Sequence, residues 1–316
     1  MSKFENLTPR VLVALVAIPS ILWLTMLGGY FFFLLIAVIS SLALYEFYGL
    51  AEAKAASPLK TLGLATGTIV NGVFVYERLQ IDAYQFFLDH FNVHLSMFSQ
   101  HQLLTVVMLK FILLALLIEL FRTKGSPMIN IATTILGVMV ISLCFGTLIL
   151  LREVFPYGFP VYKYFATGLT DDQQLAQINQ WGWSTVIAVF AAIWICDTAA
   201  YFGGLTYGKH RLFERVSPKK SWEGAVFGFI FSVLTMVAAK MLALSYLAYH
   251  QAIVLGVLIG IFGQLGDLIE SRFKRDAGVK DSSSLIPGHG GVYDRFDSLI
   301  YISPIVYLYI NFVVLS

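Results

Sequence analysis

This sequence of 316 residues has few charged residues, two cysteines and a small net charge. Asp, Glu, Lys and Arg together make up 13% of the chain, whereas a soluble domain contains about 25%. This scarcity excludes a large soluble enzyme and a disordered chain. The two cysteines, Cys144 and Cys196, each lie in an apolar stretch, which excludes a disulfide framework and a cysteine-based metal site. The formal net charge of +2 gives no reason to predict nucleic-acid binding.

Apolar residues, in contrast, make up 58% of the chain. A helix of about 20 such residues crosses the hydrocarbon core of a bilayer. Because lipid does not tolerate unpaired backbone groups, spanning segments of this kind are helices. We therefore predict an all-α, polytopic integral membrane protein. The apolar runs predict about nine transmembrane helices, at residues 11–27, 30–51, 59–76, 103–121, 128–151, 183–206, 222–248, 251–270 and 298–315.

The positions of the basic residues predict the orientation of these helices. Alternate connections carry most of the 21 Lys and Arg residues, and by the positive-inside rule those connections are cytoplasmic. The opposite face holds only Arg78, Arg152 and Lys163. The N-terminus is then predicted to be cytoplasmic. The same holds for the two long polar connections, 207–221 and 271–297.

The chain divides into two regions at the start of the sixth predicted span. Residues 1–182 are predicted to form the N-terminal transmembrane helices, with two longer connections on the non-cytoplasmic face, 77–102 and 152–182. Residues 183–316 are predicted to form a C-terminal region that contains both cytoplasmic loops. Most of the side chains that can carry chemistry lie in this second region.

Charged side chains inside apolar runs are costly, so each of them needs an explanation. Lys110, Glu119 and Lys240 are expected to pair between helices or to extend toward the membrane surface. Glu46 lies near the cytoplasmic end of a predicted span and is expected to be in water. Asp197 is different, because the small residues around it allow a second helix or a ligand to approach the backbone closely.

Two segments on the predicted cytoplasmic face combine features that bind phosphate. Residues 217–224 read SPKKSWEG, in which hydroxyl and ammonium groups precede the start of a helix. Residues 287–291 read PGHGG, whose backbone is free to form an anion-binding nest. An ordinary basic loop that binds anionic lipid headgroups is the alternative for the first segment.

Carboxylates flank these basic segments. Asp267 lies at the end of a glycine-rich helix face, and Asp294 and Asp297 lie at the entrance to the last predicted span. Carboxylate oxygens bind Mg²⁺ and basic groups bind phosphates, and a nucleoside triphosphate with its metal requires both. No G-x-x-x-x-G-K-[ST] segment occurs, which excludes an ordinary P-loop ATPase.

The stretch from Ser271 to Asp297 resembles the signature of the phosphatidate cytidylyltransferases, or CDP-diacylglycerol synthases. It contains, in order, a serine, a Lys-Arg pair, a Lys-Asp pair, Pro-x-His-Gly-Gly and Asp-Arg-x-Asp. The segments CDTAAYFGG and SPKKSWEG also resemble this family. The resemblance implies that residues 183–316 are the catalytic region and that CTP and phosphatidate react to give CDP-diacylglycerol and pyrophosphate. It also implies a bacterial inner membrane, with the active site on the cytoplasmic face.

The resemblance further implies roles for individual residues. Asp267 and Asp294 match positions that bind divalent metal in the family, so we expect them to bind Mg²⁺, with Asp297 and Asp197 as further ligands. The expected catalytic residues are Asp267, Asp294, Lys274, His289 and Asp297. The expected substrate-binding residues are Lys219, Lys220, Ser217, Arg275, Lys280, Arg295, Gly290 and Gly291. His289 is expected either to orient phosphate or to stabilise its loop.

Two other functions remain open from the residues alone. One is a cation-coupled transporter, in which Asp197 and Asp267 would bind ions within the membrane. The other is a CTP-dependent kinase of a lipid alcohol, which would release CDP instead of pyrophosphate. A homodimer is expected from the glycine-rich face of the helix that carries Asp267. Whether a second, monovalent cation joins Mg²⁺ also stays open at this point.

Overall fold

Helices form nearly all the regular structure in the computed structural model, which describes residues 7–94, 96–165, 171–286, 288 and 290–316. The prediction of an all-α fold is confirmed. The helices of the N-terminal region are α1 (Leu7–Leu27), α2 (Gly29–Glu52), α3 (Lys60–Val73), α4 (Tyr76–Phe91), α5 (Gln100–Phe121), α6 (Pro127–Gly137), α7 (Cys144–Gly158) and α8 (Val161–Tyr164). A π-helical turn, Val138–Leu143, joins α6 to α7 without a break.

Four long helices and one small hairpin form the rest of the described chain, and the first helix begins at Asp172, within the predicted connection 152–182. The hairpin joins α9 to α10, and its antiparallel strands pair Arg211 with Ser221 and Phe213 with Ser217. A second π-helical turn, Ile310–Val314, follows the last helix. In chain order the elements are α9 (Asp172–Tyr207), β1 (Arg211–Phe213), β2 (Ser217–Ser221), α10 (Trp222–Leu242), α11 (Tyr249–Asp276) and α12 (Tyr293–Tyr309).

Seven helical stretches in the described part of the chain are long and apolar enough to cross a membrane. This confirms the prediction of a polytopic membrane protein. The first predicted span corresponds to the shorter apolar stretch Val13–Leu27. The third corresponds to α3, whose 14 residues extend only about 21 Å. The count of nine therefore stays a prediction. The seven stretches are Gly29–Glu52, Gln100–Phe121, Pro127–Gly158, Asp172–Tyr207, Trp222–Leu242, Tyr249–Asp276 and Tyr293–Val314.

The helices on both sides of the second polar connection are longer than the apolar runs indicate. Helix α11 continues through its charged last turn to Asp276, and α12 begins at Tyr293. The connection between them is therefore 277–292, shorter than the predicted 271–297. Basic residues in a last turn and acidic residues in a first turn both suit the helix dipole, so these charged turns remain helical.

Glycines bring the C-terminal helices into close backbone contact. A Cβ on Gly256 or Gly260 of α11 would contact the backbone of α10, at Val233 and Phe229 respectively. A Cβ on Gly266 would contact Ser298 of α12. The glycine-rich face of α11 therefore packs within the chain. The homodimer that this face suggested stays a prediction.

The two regions meet where α2 lies beside α11 and α12. Phe47 of α2 packs edge-on against Phe273 and Tyr293, with ring centroids 5.9 and 6.1 Å apart. At the ends of α2 and α11, Lys54 Nζ lies 3.6 Å from Asp276 Oδ1. The end of α2 is thus at the same face of the bundle as the connection 277–292.

Two of the other charged groups found in apolar runs, Glu119 and Lys240, have structural partners. Glu119 of α5 accepts hydrogen bonds from Arg122 at 2.7 Å and from Asn130 of α6 at 3.2 Å, which confirms the expected pairing between helices. Lys240 lies over the ring of Tyr249 at 5.5 Å.

Candidate active site

Three carboxylates converge where α11 and α12 approach each other. Asp267 and Glu270 are one turn apart on α11, and Asp297 is on α12. One carboxylate oxygen of each lies within 4.8 Å of the other two, which is a spacing that a hard cation with oxygen ligands can bridge. We call these three residues the acidic triad.

The chemistry of the triad fits a divalent metal. Glu270 is only 2% exposed, and its Oε1 has no hydrogen-bond partner among the described residues. A buried carboxylate oxygen without a donor is costly unless a cation compensates it. Glu270 was not among the residues expected to bind metal. Its spacing of three residues from Asp267 was the signal in the sequence that could have identified it.

Two lysines approach the triad from different elements. Lys220, at the end of β2, forms an ion pair with Asp267. Lys274 of α11 is one turn beyond Glu270, and its Nζ lies 2.7 Å from Glu270 Oε2. The site therefore combines three carboxylates with two ammonium groups. Such a group can bind a metal and phosphate oxygens together.

The expected metal ligands Asp197 and Asp294 occupy different positions around the triad. Asp197, on α9, is close enough to Asp267 and Lys220 to interact electrostatically with both. Asp294 Oδ1 accepts a hydrogen bond from Lys274 at 2.9 Å, so this lysine lies between Asp294 and Glu270. Metal binding by Asp294 stays a prediction.

Asp294 also organises the loop that precedes α12. Its Oδ2 accepts hydrogen bonds from the backbone N–H groups of Ser282 at 3.0 Å and Gly291 at 2.8 Å. Gly290 has a φ of +84°, and a Cβ there would contact the Asp294 carboxylate. Glycine is therefore required at this position by both backbone conformation and space. In the same loop Ile286 N–H donates a hydrogen bond to Gly290 C=O at 2.9 Å.

The position of Glu46 corrects an expectation. We expected this side chain to be in water, but it is buried in α2 with 4% of its surface exposed. Its carboxylate accepts four hydrogen bonds from the 277–292 connection and the start of α12. The expectation was wrong because the apolar pattern around residue 46 carries no information about a loop more than 200 residues away.

The hairpin between α9 and α10 positions Lys220. The hydroxyl of Ser221 accepts a hydrogen bond from Gly224 N–H at 3.2 Å and so caps α10. Glu223, in the first turn of α10, accepts hydrogen bonds from the backbone N–H groups of Lys209 and His210 at 3.1 and 3.2 Å. These bonds hold the start of the hairpin connection against the first turn of α10.

The other expected substrate-binding residues differ in their exposure. Lys219, Lys280 and Arg295 are exposed, and Ser217 is half-buried. Arg275 is also exposed and donates to the backbone carbonyl of Val279 at 3.0 Å. Gly291 is buried. His289 lies outside the described residues.

Sequence comparisons relate the chain to enzymes of known type. The model of a family described as "Cytidylyltransferase family" matches residues 8–313. A phosphatidate cytidylyltransferase of Synechocystis sp. is 33% identical over 310 residues, which cover 96% of both chains. Phosphatidate cytidylyltransferases of Staphylococcus aureus and Bacillus subtilis are 43% and 35% identical over 123 and 134 residues. Those two alignments cover 38% and 42% of this chain and 46% and 50% of the relatives.

Proposed function

Because the chain belongs to the cytidylyltransferase family, we propose that it transfers a cytidylyl group from CTP to phosphatidate, giving CDP-diacylglycerol and pyrophosphate. The observation that carries this proposal is the convergence of the acidic triad with Lys220 and Lys274. Both substrates are anionic, so catalysis mainly requires positioning and neutralisation of charge. The site offers groups of both signs for these two tasks.

The reaction forms one bond and breaks one bond at phosphorus. A phosphate oxygen of phosphatidate attacks the α-phosphorus of CTP, and the bond to the bridging oxygen of the pyrophosphate breaks. Phosphatidate is already ionised at neutral pH, so no general base is required. A Mg²⁺ ion held by Asp267, Glu270 and Asp297 would supply charge stabilisation to the phosphate oxygens.

The protein's own residues bind and orient the substrates in this scheme. Lys220 and Lys274 already lie against the triad, and each can shift from its carboxylate to an incoming phosphate oxygen. Lys219 of β2, Arg275 in the last turn of α11 and Arg295 in the first turn of α12 are exposed. In this proposal they bind the outer phosphates of CTP or the lipid phosphate.

We place this site at the cytoplasmic face of a bacterial inner membrane. The basic residues of the two polar connections support this orientation by the positive-inside rule. CTP would then reach the triad from the cytoplasm, whereas phosphatidate would reach it from the surrounding bilayer. A second, monovalent cation among the carboxylates stays a prediction.

The first test is product formation by the purified protein in detergent. Wild type given CTP, Mg²⁺ and phosphatidate is expected to release CDP-diacylglycerol and pyrophosphate in equal amounts, and EDTA is expected to abolish both. Asp267→Asn and Asp297→Asn should each lower kcat/KM by about 10²- to 10³-fold, because each removes one charged oxygen from the metal site. Glu52→Gln is the matched control, since Glu52 forms an exposed ion pair with Lys60.

A metal-binding measurement accompanies this assay and does not depend on activity. Mg²⁺ should raise the thermal stability of wild type and of Glu52→Gln, and much less that of the two Asp→Asn variants. Full activity in both Asp→Asn variants would contradict the metal assignment. Release of CDP instead of pyrophosphate would point to a lipid-alcohol kinase. No product from folded protein with Mg²⁺ would contradict the enzyme assignment.

A further inference from the structure

Glu46 belongs to none of the binding groups described above, yet it contacts the active-site loop more extensively than its place in α2 explains. We propose that Glu46 is a positioning residue for catalysis. Its carboxylate fixes the 277–292 connection and the start of α12, and so holds Asp297 against Asp267 and Glu270. This inference rests on the proposed function, because the geometry that it maintains is that of the acidic triad.

Each of the two carboxylate oxygens of Glu46 accepts one hydrogen bond from a serine hydroxyl and one from a backbone amide. Oε1 accepts from the Ser283 hydroxyl at 2.6 Å and from Val292 N–H at 3.0 Å. Oε2 accepts from the Ser282 hydroxyl at 2.9 Å and from Tyr293 N–H at 2.7 Å. Each oxygen therefore joins one side chain of the loop to one backbone amide at the start of α12.

The ionised form of the side chain is needed for this arrangement. The first N–H groups of a helix have no partner within the helix, and a carboxylate both accepts from them and suits the positive end of the helix dipole. A glutamine of the same shape has one oxygen and one NH₂ group. Since each Glu46 oxygen faces one backbone N–H, either orientation of that amide places a donor against a donor.

Two contacts connect Glu46 to the catalytic carboxylates. Ser282 bonds Glu46 through its hydroxyl and Asp294 through its backbone N–H, so the two carboxylates hold the same residue from opposite sides. Tyr293 precedes Asp297 by four residues, about one helical turn. A shift of the start of α12 therefore moves Asp297 relative to Asp267 and Glu270. Small misplacements of catalytic groups lower the reaction rate strongly.

The packing around Glu46 supports a fixed position. Gly291 lies so close that a Cβ there would contact both Ser282 Oγ and Glu46 Oε2. The neighbouring Phe47 packs against Tyr293. The loop thus encloses the carboxylate, and the aromatic contact holds the next residue of α2 against the start of α12.

The test compares Glu46→Gln with Glu119→Gln. Glu119 is the matched control because it is also a buried carboxylate of the N-terminal region, with 4% exposure, and its recorded partners are Arg122 and Asn130. We expect Glu46→Gln to lower kcat by about 10- to 100-fold and to raise the Mg²⁺ concentration for half-maximal activity. Glu119→Gln should leave both within about threefold of wild type, even where it lowers thermal stability.

If Glu46→Gln does not fold, Ser282→Ala with Ser283→Ala replaces it. This pair keeps the carboxylate and its two backbone bonds but removes both hydroxyl donors, so a smaller loss of kcat, about five- to tenfold, is expected. An unchanged kcat and an unchanged Mg²⁺ requirement in the folded variant would overturn the proposal. A loss equal to that of Glu119→Gln would also overturn it.

Amide hydrogen exchange separates this inference from the proposed function. Peptides that cover residues 277–297 should exchange faster in Glu46→Gln than in wild type or Glu119→Gln, because two backbone donors lose a good acceptor. This readout does not require turnover. Equal exchange in all three proteins would overturn the positioning role, whereas absence of product from wild type alone would overturn only the proposed function.

Discussion

The two connections that frame the acidic triad are held by glutamates in opposite ways. In the hairpin connection, 208–221, Glu223 accepts backbone amides that lie 13 and 14 residues before it. In the longer connection, 277–292, Glu46 accepts amides that lie 246 and 247 residues after it. The first glutamate is part of the local fold of its own loop. The second reaches the loop from a distant helix.

The difference follows from how much each connection can stabilise itself. The hairpin pairs its own strands, so its backbone groups are largely satisfied without help. In its described part the longer connection has one bridge, between Ile286 and Gly290, and its first residues bond back to the last turn of α11. Glu46 and Asp294 accept the amides of Ser282, Gly291 and Val292 and two serine hydroxyls of this connection. Buried bonds to a charged group are stronger than exposed ones, so the longer loop depends more on each carboxylate.

A substitution of Lys220 is the strongest test of the comparison between the two connections, because Lys220 is the residue through which the hairpin contacts the acidic triad. Lys220→Met keeps the length of the side chain but removes its charge next to Asp267. We expect kcat/KM to fall by about 10²- to 10³-fold, with little change in thermal stability, because charge stabilisation near the phosphates is lost. Steady-state kinetics with CTP and phosphatidate varied separately will measure this. Lys54→Met, which removes an exposed pair with Asp276, is the control.

Activity of Lys220→Met within about threefold of that of Lys54→Met would contradict this role. The hairpin would then support the site only as a scaffold, and the basic groups for phosphate would have to come from the longer connection.

Gly291→Ala tests how tightly the longer connection is packed. A Cβ at this position would be too close to Ser282 Oγ and Glu46 Oε2, so both side chains must move away from residue 291. We expect a loss of about 1–3 kcal/mol in the free energy of unfolding and a loss of activity. Thermal unfolding in detergent will measure the first effect.

Gly49→Ala is the matched control for this substitution. Gly49 is in the same helix as Glu46, and a Cβ there would meet open space. Alanine in a helix interior is neutral or stabilising relative to glycine, by up to about 1 kcal/mol. Equal stabilities of the two variants would show that the loop adjusts more easily than the contacts indicate.

Glu223→Gln should have the smallest effect of the three substitutions. Its contacts with Lys209 and His210 are exposed to solvent, and exposed pairs contribute little. We expect kcat/KM to stay within about threefold of wild type, in the assay used for Glu46→Gln. A loss of activity as large as that of Glu46→Gln would contradict the comparison. Neither burial nor the sequence distance to the bonded amides would then explain a difference between the two glutamates.

The sequence predicted those parts of the site whose partners are close along the chain. Apolar runs predicted the helices, and the signature from Ser271 to Asp297 predicted the family. The spacing of three residues puts Asp267 and Glu270 on one helix face. Of these two residues, only Asp267 was expected to bind metal. Contacts between distant segments could not be predicted. Glu46 lies near the end of an apolar run, and nothing in that run indicates the four donors that bury it.

The burial of Glu46 also has a consequence for the order of assembly. Helix α2 is synthesised long before the loop that encloses its carboxylate, and chains emerge from the N-terminus first. During that interval Glu46 lacks the four donors that bond it in the folded protein. These donors belong to Ser282, Ser283, Val292 and Tyr293, which are synthesised more than 200 residues later. The active-site loop therefore cannot acquire this anchor while the helix that carries it is being made.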